Sequence, residues 1–149
     1  IANFLFPKGF AVGGSTACIE LLKAKAEQAG ALQAKVLKTA GAFHTPFMAP
    51  AQERLAAALE EALPNMKPPR CNVCVNVTAE SMPAGTDPAK LVDLLRRQLT
   101  SPVLWEACML DLIDHGITEF YEVGPMKQIA AMMKRIDQGA WKKTQNISV

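Results

Sequence analysis

The chain has no surplus of either charge, no long apolar run, no internal repeat and only two histidines. Each shortage closes off a class of function. A net charge of +2 is too small for an electrostatic footprint on nucleic acid. No segment approaches the roughly 20 apolar residues that a helix needs to cross a bilayer. Four cysteines, Cys18, Cys71, Cys74 and Cys108, include one C-x-x-C pair, Cys71 and Cys74. A zinc site or a redox motif would ask for a second pair or a nearby histidine, and neither is there. Free thiols in a reduced compartment are the better reading, and no metal is expected. A charged leader with a small-residue cleavage site is also lacking, so the apolar opening at Ile1 reads as a cut or processed end inside a larger fold. What is abundant is apolar: 50% of the 149 residues are hydrophobic and 20% are charged, enough for a core and against wholesale disorder.

Two patterns follow each other along the chain. Residues 1–39 read as β-β-α-β. Strand-like stretches at 2–6 and 10–12 flank the turn signal Pro7-Lys8-Gly9. Residues 15–29 have helical spacing, with Ser15 as N-cap and Gly30 as the stop. Residues 32–38 alternate as a strand would. After Pro46, helices alternate with short apolar strands, which implies an α/β layer fold. A helix is expected over 46–63, with Pro50 kinking it or delaying its start. A strand at 73–77, apolar on both faces, suits a buried parallel sheet. Asp87 caps a helix over 88–99. A helix restarts at Ser101-Pro102 and runs through His115, then a strand covers 117–123 and a last helix 126–136.

Few residues invite chemistry. Gly13-Gly14-Ser15-Thr16-Ala17 lacks the second glycine of G-x-S-x-G, so Ser15 reads as a helix cap and not as a nucleophile. The two glycines make no phosphate loop, since no G-K-[ST] follows. His115 before Gly116 stands at a helix end, where a cation is welcome. Gln98 shares an apolar helix face and needs hydrogen-bond partners there. Lys127, Lys134, Arg135, Lys142 and Lys143 make the last part basic, either as plain solvated surface or as a docking patch for an acidic protein. His44 is different. It lies where a strand-like run ends and a helix begins, with Thr45 as N-cap and Pro46 at the first helical position. Such a histidine faces the positive end of a helix dipole, which disfavours imidazolium. A neutral imidazole at a chain reversal suits a general base. The plain alternative is a histidine that packs in a connecting loop.

Five segments occur in one order: Gly41-Ala42-Phe43-His44-Thr45-Pro46-Phe47-Met48, Asn76-Val77, Arg97-Gln98-Leu99-Thr100-Ser101-Pro102-Val103-Leu104-Trp105, Tyr121-Glu122-Val123-Gly124-Pro125-Met126-Lys127 and Lys134-Arg135-Ile136. In that order, and with Ala2-Asn3-Phe4 and Ala11-Val12-Gly13-Gly14 before them, the chain resembles the malonyl-CoA:acyl carrier protein transacylases. The resemblance implies a hydrolase-like three-layer α/β domain carrying an inserted ferredoxin-like (α+β) subdomain. Residues 1–39 would be most of the small subdomain, and 40–149 the C-terminal part of the large one. It implies a Ser-His acyl-enzyme mechanism in type II fatty-acid synthesis, in which malonyl passes from coenzyme A to a serine and then to the phosphopantetheine thiol of acyl carrier protein. His44 stands at the family's histidine, and Gln98 at a glutamine whose backbone carbonyl orients it. Asn76 and Asn3 would lie near the pocket. No cofactor is implied beyond the two substrates.

The chain departs from the family at Met126, where a glycine is usual, and at Leu5, where many members have an asparagine. The nucleophile elbow G-H-S-x-G, the arginine that pairs with the malonyl carboxylate and the early glutamine-containing loop precede this segment in the family and do not occur in it. The resemblance therefore implies a segment that supplies the histidine but not the serine, is inactive alone, and has the missing N-terminal half as a partner beside acyl carrier protein and malonyl-CoA. The wording of the motifs is nearest to plastid-bearing eukaryotes, so a plastid is the expected location, with bacterial cytoplasm as the alternative. Two other readings are a catalytically inert module that binds carrier protein and a fragment of a polyketide synthase acyltransferase.

Overall fold

A computed structural model describes all residues, 1–149. The chain begins with an antiparallel hairpin, β1 (Asn3–Phe6) and β2 (Gly9–Ala11). Gly9 is required at the turn, because a Cβ there would overlap the Phe6 ring. Helix α1 (Thr16–Gln28) follows. Ser15 caps it by accepting from the Cys18 N–H, and Gly30, at φ +82°, ends it. No residue of α1 is buried.

A short 3-10 turn (Pro46–Met48) leads into α2 (Ala49–Ala62). The expected helix over 46–63 thus starts later, and Pro50 sits in its first turn, where no backbone donor is lost. Next come β3 (Val73–Val75), β4 (Glu80–Met82) and α3 (Pro88–Gln98), which Asp87 caps by accepting from the Ala89 N–H. Then β5 (Val103–Leu104) runs directly into α4 (Trp105–Asp114), and β6 (Phe120–Val123), α5 (Gln128–Ile136), α6 (Gln138–Lys142) and β7 (Thr144–Ile147) complete the chain.

Three expectations fail, each over which partner a segment finds. Residues 32–38 form no strand despite their alternation, because no other strand lies beside them. Segment 73–77 does not enter a parallel sheet. It forms a hairpin with β4, which the sequence did not announce. The helix read as starting at Ser101 begins instead at Trp105, because Val103 and Leu104 are drawn into a parallel ladder with Asn3 and Phe4.

That ladder knits the chain together. The sheet order is β2-β1-β5, so β1 joins the opening hairpin to the later part of the chain. On the far side of β5, the Leu104 N–H donates to the Asn76 carbonyl at 2.9 Å. Helices α4 and α5 both pack on β1. The core lies beneath α4, where Cys108, Met109, Met133 and Ala140 meet Trp105, Leu112, Phe120 and Trp141. It is thin: 11 of 149 residues are buried. The chain exposes 10149 Å², roughly a third more than the ~7,400 Å² expected of a compact monomer of this mass. Much of the excess is apolar, as at Leu32, Leu37, Phe47 and Val123.

Cys108 faces Cys74 at the centre of the core, and its thiol donates to the Val75 carbonyl and to Asn76 Oδ1 at 3.9 Å. Burial, with the Cys74 thiol and the Asp111 charge adding to it, pushes Cys108 up to about 12 from 9.0. The native thiol therefore keeps its proton across a range in which the unfolded thiol loses it, and stability falls as pH rises from 9.0 toward about 12. The difference in urea midpoint between the wild type and Cys108→Ala should narrow over that window. A constant difference would show that the thiol is not held protonated.

Candidate active site

The site is built at the C-terminal end of α3. The last four carbonyls of a helix have no partner within it and must find one elsewhere. In α3 each does. The Arg96 carbonyl accepts from Gln52 Nε2 at 3.0 Å. The Arg97 carbonyl accepts from the N–H groups of Thr100 and Ser101. The Gln98 carbonyl accepts from the His44 ring at Nδ1, 2.7 Å away. The Leu99 carbonyl, at the cap, accepts from the His44 N–H at 3.0 Å. His44 thus closes two of the four positions, with its backbone and with its ring, across 54 residues of sequence.

This pairing settles the tautomer. A carbonyl oxygen can only accept, so Nδ1 must carry the hydrogen. In the neutral ring Nε2 is then left with its lone pair, free to take a proton. The ring's bonding partner is the C-terminal end of α3, while the helical run after His44 begins two residues on, as the 3-10 turn at Pro46.

The backbone at His44 is left-handed, φ +63°. A non-glycine residue there costs about 1–3 kcal/mol and needs its surroundings to hold it. Besides the two bonds to α3, Thr45 holds it from the other side. Thr45 is buried, and its Oγ1 donates to the Ala42 carbonyl at 2.6 Å. Thr45 was expected to cap the helix after it, but its side chain makes no cap bond and closes this loop instead. Gly13 presses on the same loop. A Cβ at Gly13 would stand 2.8 Å from Thr45 Cγ2. The glycine pair read as no phosphate loop therefore has a packing role, in its first member.

The other predicted residues lie elsewhere. Asn3 on β1 pairs in register with Val103, and Asn76 meets Leu104 from the opposite side of β5. The Asn76 side chain accepts from Cys108. Neither asparagine hydrogen-bonds to His44 or Gln98. His115 bonds through Nδ1 to the Asp111 carbonyl of its own helix, at 2.8 Å. Two of the five basic residues are occupied within the chain: Lys134 lies over the Trp141 ring and Arg135 over the Phe6 ring. Thr45, Gln52 and Leu99 escaped sequence reasoning as contributors to the site. Leu99 contributes a backbone acceptor and Thr45 a hydroxyl turned back on its own loop, and nothing about a glutamine one helical turn into α2 marks it.

No family model matches the chain. Among curated proteins, it is 31% identical over 153 residues to the mitochondrial malonyl-CoA-acyl carrier protein transacylase of Homo sapiens, covering 100% of this chain and 38% of that protein. It is 33% identical over 138 residues to the malonyl CoA-acyl carrier protein transacylase of Bacillus subtilis, covering 93% of this chain and 42% of that one. The chain is homologous to one part of the malonyl-CoA:acyl carrier protein transacylases. It spans less than half the length of these relatives, and the match falls on their C-terminal portion. Solved structures agree with the α/β architecture. The acyl carrier protein S-malonyltransferase of Vibrio cholerae superposes with a TM-score of 0.82 at 31% identity, over 99% of this chain and 45% of that one. A type II PKS acyl-carrier protein in complex with its malonyl-transacylase gives a TM-score of 0.83 at 25% identity, over 99% and 45%. The transacylase relatives are acyltransferases, and they include mitochondrial and bacterial forms.

The contact between Gly13 and Thr45 makes a prediction about the site's support. Gly13→Ala should destabilise the chain by about 1–3 kcal/mol through overpacking. Adding Thr45→Ser, which removes the opposing methyl and keeps the hydroxyl bond, should recover most of that loss in a urea titration. If the second change recovers nothing, the two residues do not share this space.

Proposed function

We propose that this chain supplies the base of a malonyl-CoA:acyl carrier protein transacylase acting in type II fatty-acid synthesis. The observation that carries the reading is the 2.7 Å bond between His44 Nδ1 and the Gln98 carbonyl, found in a chain homologous to those enzymes over its whole length. In this reading Nε2 takes the proton of a serine hydroxyl as the serine oxygen bonds to the thioester carbonyl of malonyl-CoA. The tetrahedral adduct collapses, the carbon–sulfur bond breaks, and the coenzyme A thiolate leaves with the proton from Nε2. The thiol of acyl carrier protein then loses its proton to Nε2 while its sulfur attacks the malonyl ester. The serine oxygen leaves and regains its hydrogen. Gln98 accepts from Nδ1–H throughout, so the ring cannot turn while its other nitrogen cycles. No bound cofactor enters these steps.

The serine belongs, in this reading, to a complementary portion of the fold that covers the uncovered surface. Two features support that portion. The chain exposes well over the area of a compact monomer. The parallel pair β6 and β7 leaves Tyr121 and Val123 exposed on one face, whereas parallel sheets are ordinarily covered on both. Residues 1–39 would be the larger part of the small subdomain and 40–149 the C-terminal part of the large one. Asn3 and Asn76, on the two sides of β5, would line the acyl pocket, and a plastid would be the location.

Two experiments test the reading. With the complementary portion present, His44→Ala should lower the transfer rate on the order of 10³-fold or more, as loss of a positioned base beside a nucleophile does. A loss below tenfold would remove His44 from the mechanism. The chain alone, incubated with radiolabelled malonyl-CoA, should acquire no covalent label. A stable acyl adduct on it would overturn the division of serine and histidine between two portions.

A further inference from the structure

We infer that Gln52 is a positioning residue for His44, acting through the end of α3. Its side-chain amide crosses from α2 and makes two bonds from one nitrogen. Nε2 donates to the Arg96 carbonyl at 3.0 Å and to Thr100 Oγ1 at 2.9 Å. A carbonyl cannot donate, so the amide must present its NH2 group here, and the two hydrogens of that group serve the two acceptors. Arg96 and Thr100 lie two residues before and two residues after Gln98. The amide therefore grips the last turn of α3 on both sides of the carbonyl that receives His44 Nδ1.

That grip has no substitute in the turn. Of the final carbonyls, the Arg97 oxygen is satisfied by the chain that follows, and those of Gln98 and Leu99 by His44. Without Gln52, the Arg96 carbonyl must turn to water, and of the hydrogen bonds that tie the helix end to preceding segments only those of His44 remain. His44 sits in a left-handed conformation that needs external support, so it is poorly suited to anchor the turn that is meant to orient it. Gln52 supplies the missing tie. It stands on α2, the helix that the His44 loop enters, so one side chain joins the segment after the base to the segment that aims the base.

The test separates donation from packing. Met and Lys are both long, unbranched and close in helix propensity to Gln, but only Lys can donate. In ¹⁵N-histidine-labelled chain at about pH 8, where an ordinary imidazole is mostly neutral, the ratio of the two His44 tautomers should shift toward the Nε2–H form by about fivefold in Gln52→Met, the scale of one lost neutral hydrogen bond. Gln52→Lys should keep the wild-type ratio. His115 is the chain's other histidine and is bonded within its own helix, so its signals should stay fixed and serve as the internal reference. An unchanged His44 ratio in Gln52→Met, or the same shift in both variants, would overturn the inference. A shift shared by His115 would mean general loosening of the fold and would overturn it too.

The catalytic consequence rests on the acyl-transfer reading above. In the active assembly, Gln52→Met should lower kcat about tenfold, as misplacement of a catalytic group does, with KM for malonyl-CoA unchanged, and Gln52→Lys should restore it. If the tautomer ratio moves as expected while neither wild type nor variant transfers malonyl, the acyl-transfer reading fails and the positioning role stands.

Discussion

A helix must dispose of its last four carbonyls, and at the end of α3 that obligation organises the site. A side chain from α2 takes one carbonyl, the following turn takes another, and His44 takes two. Each such bond is worth only about 1 kcal/mol net, but together they fix the end of the helix against the His44 loop and α2. The histidine is therefore held by a structural need of the helix and not by a carboxylate partner. The same bond that completes the helix fixes the ring's tautomer. The ring's orientation is obtained from a group that the helix would have had to satisfy in any case.

The support around this point is layered. Gly13 leaves room for the Thr45 methyl, and the Thr45 hydroxyl closes the loop onto Ala42. The β1–β5 ladder brings the opening hairpin against the chain that leaves α3. Beneath it, α4 and α5 pack their apolar sides around Cys108 and Met133. By contrast, α1 buries no residue, and residues 32–38 stand open.

Much of the fold was legible in local chemistry. Ser15 and Asp87 announced two helix starts by their capping oxygens, and Gly30 and Gly116 two ends by their left-handed backbone. The strand at β6 and the helix at α5 followed from periodicity. Strand partners were not legible. Val103 and Leu104 continue a helical pattern in sequence and become a strand only because β1 offers them a ladder. Residues 32–38 have a strand's alternation and remain unpaired. The hairpin of β3 with β4 was missed because Glu80, Ser81 and Met82 carry little strand preference of their own.

The pairing of His44 with Gln98 was expected from resemblance alone, since spacing along the chain carries no sign of a bond across 54 residues. Sequence places His44 just before a helix start, and the fold adds the carbonyl end of another helix at its ring. Sequence by itself determined the capped starts at Ser15 and Asp87, the stops at Gly30 and Gly116, that the class is α/β, and that one histidine sits at a chain reversal. These follow from interactions within a few residues, where the side chain and the backbone group it satisfies are neighbours. Only the tertiary structure decided which carbonyl the ring meets, which nitrogen keeps its proton, and that Gln52 holds the turn between them. Those depend on the end of α3 arriving beside a loop that the chain left 54 residues earlier.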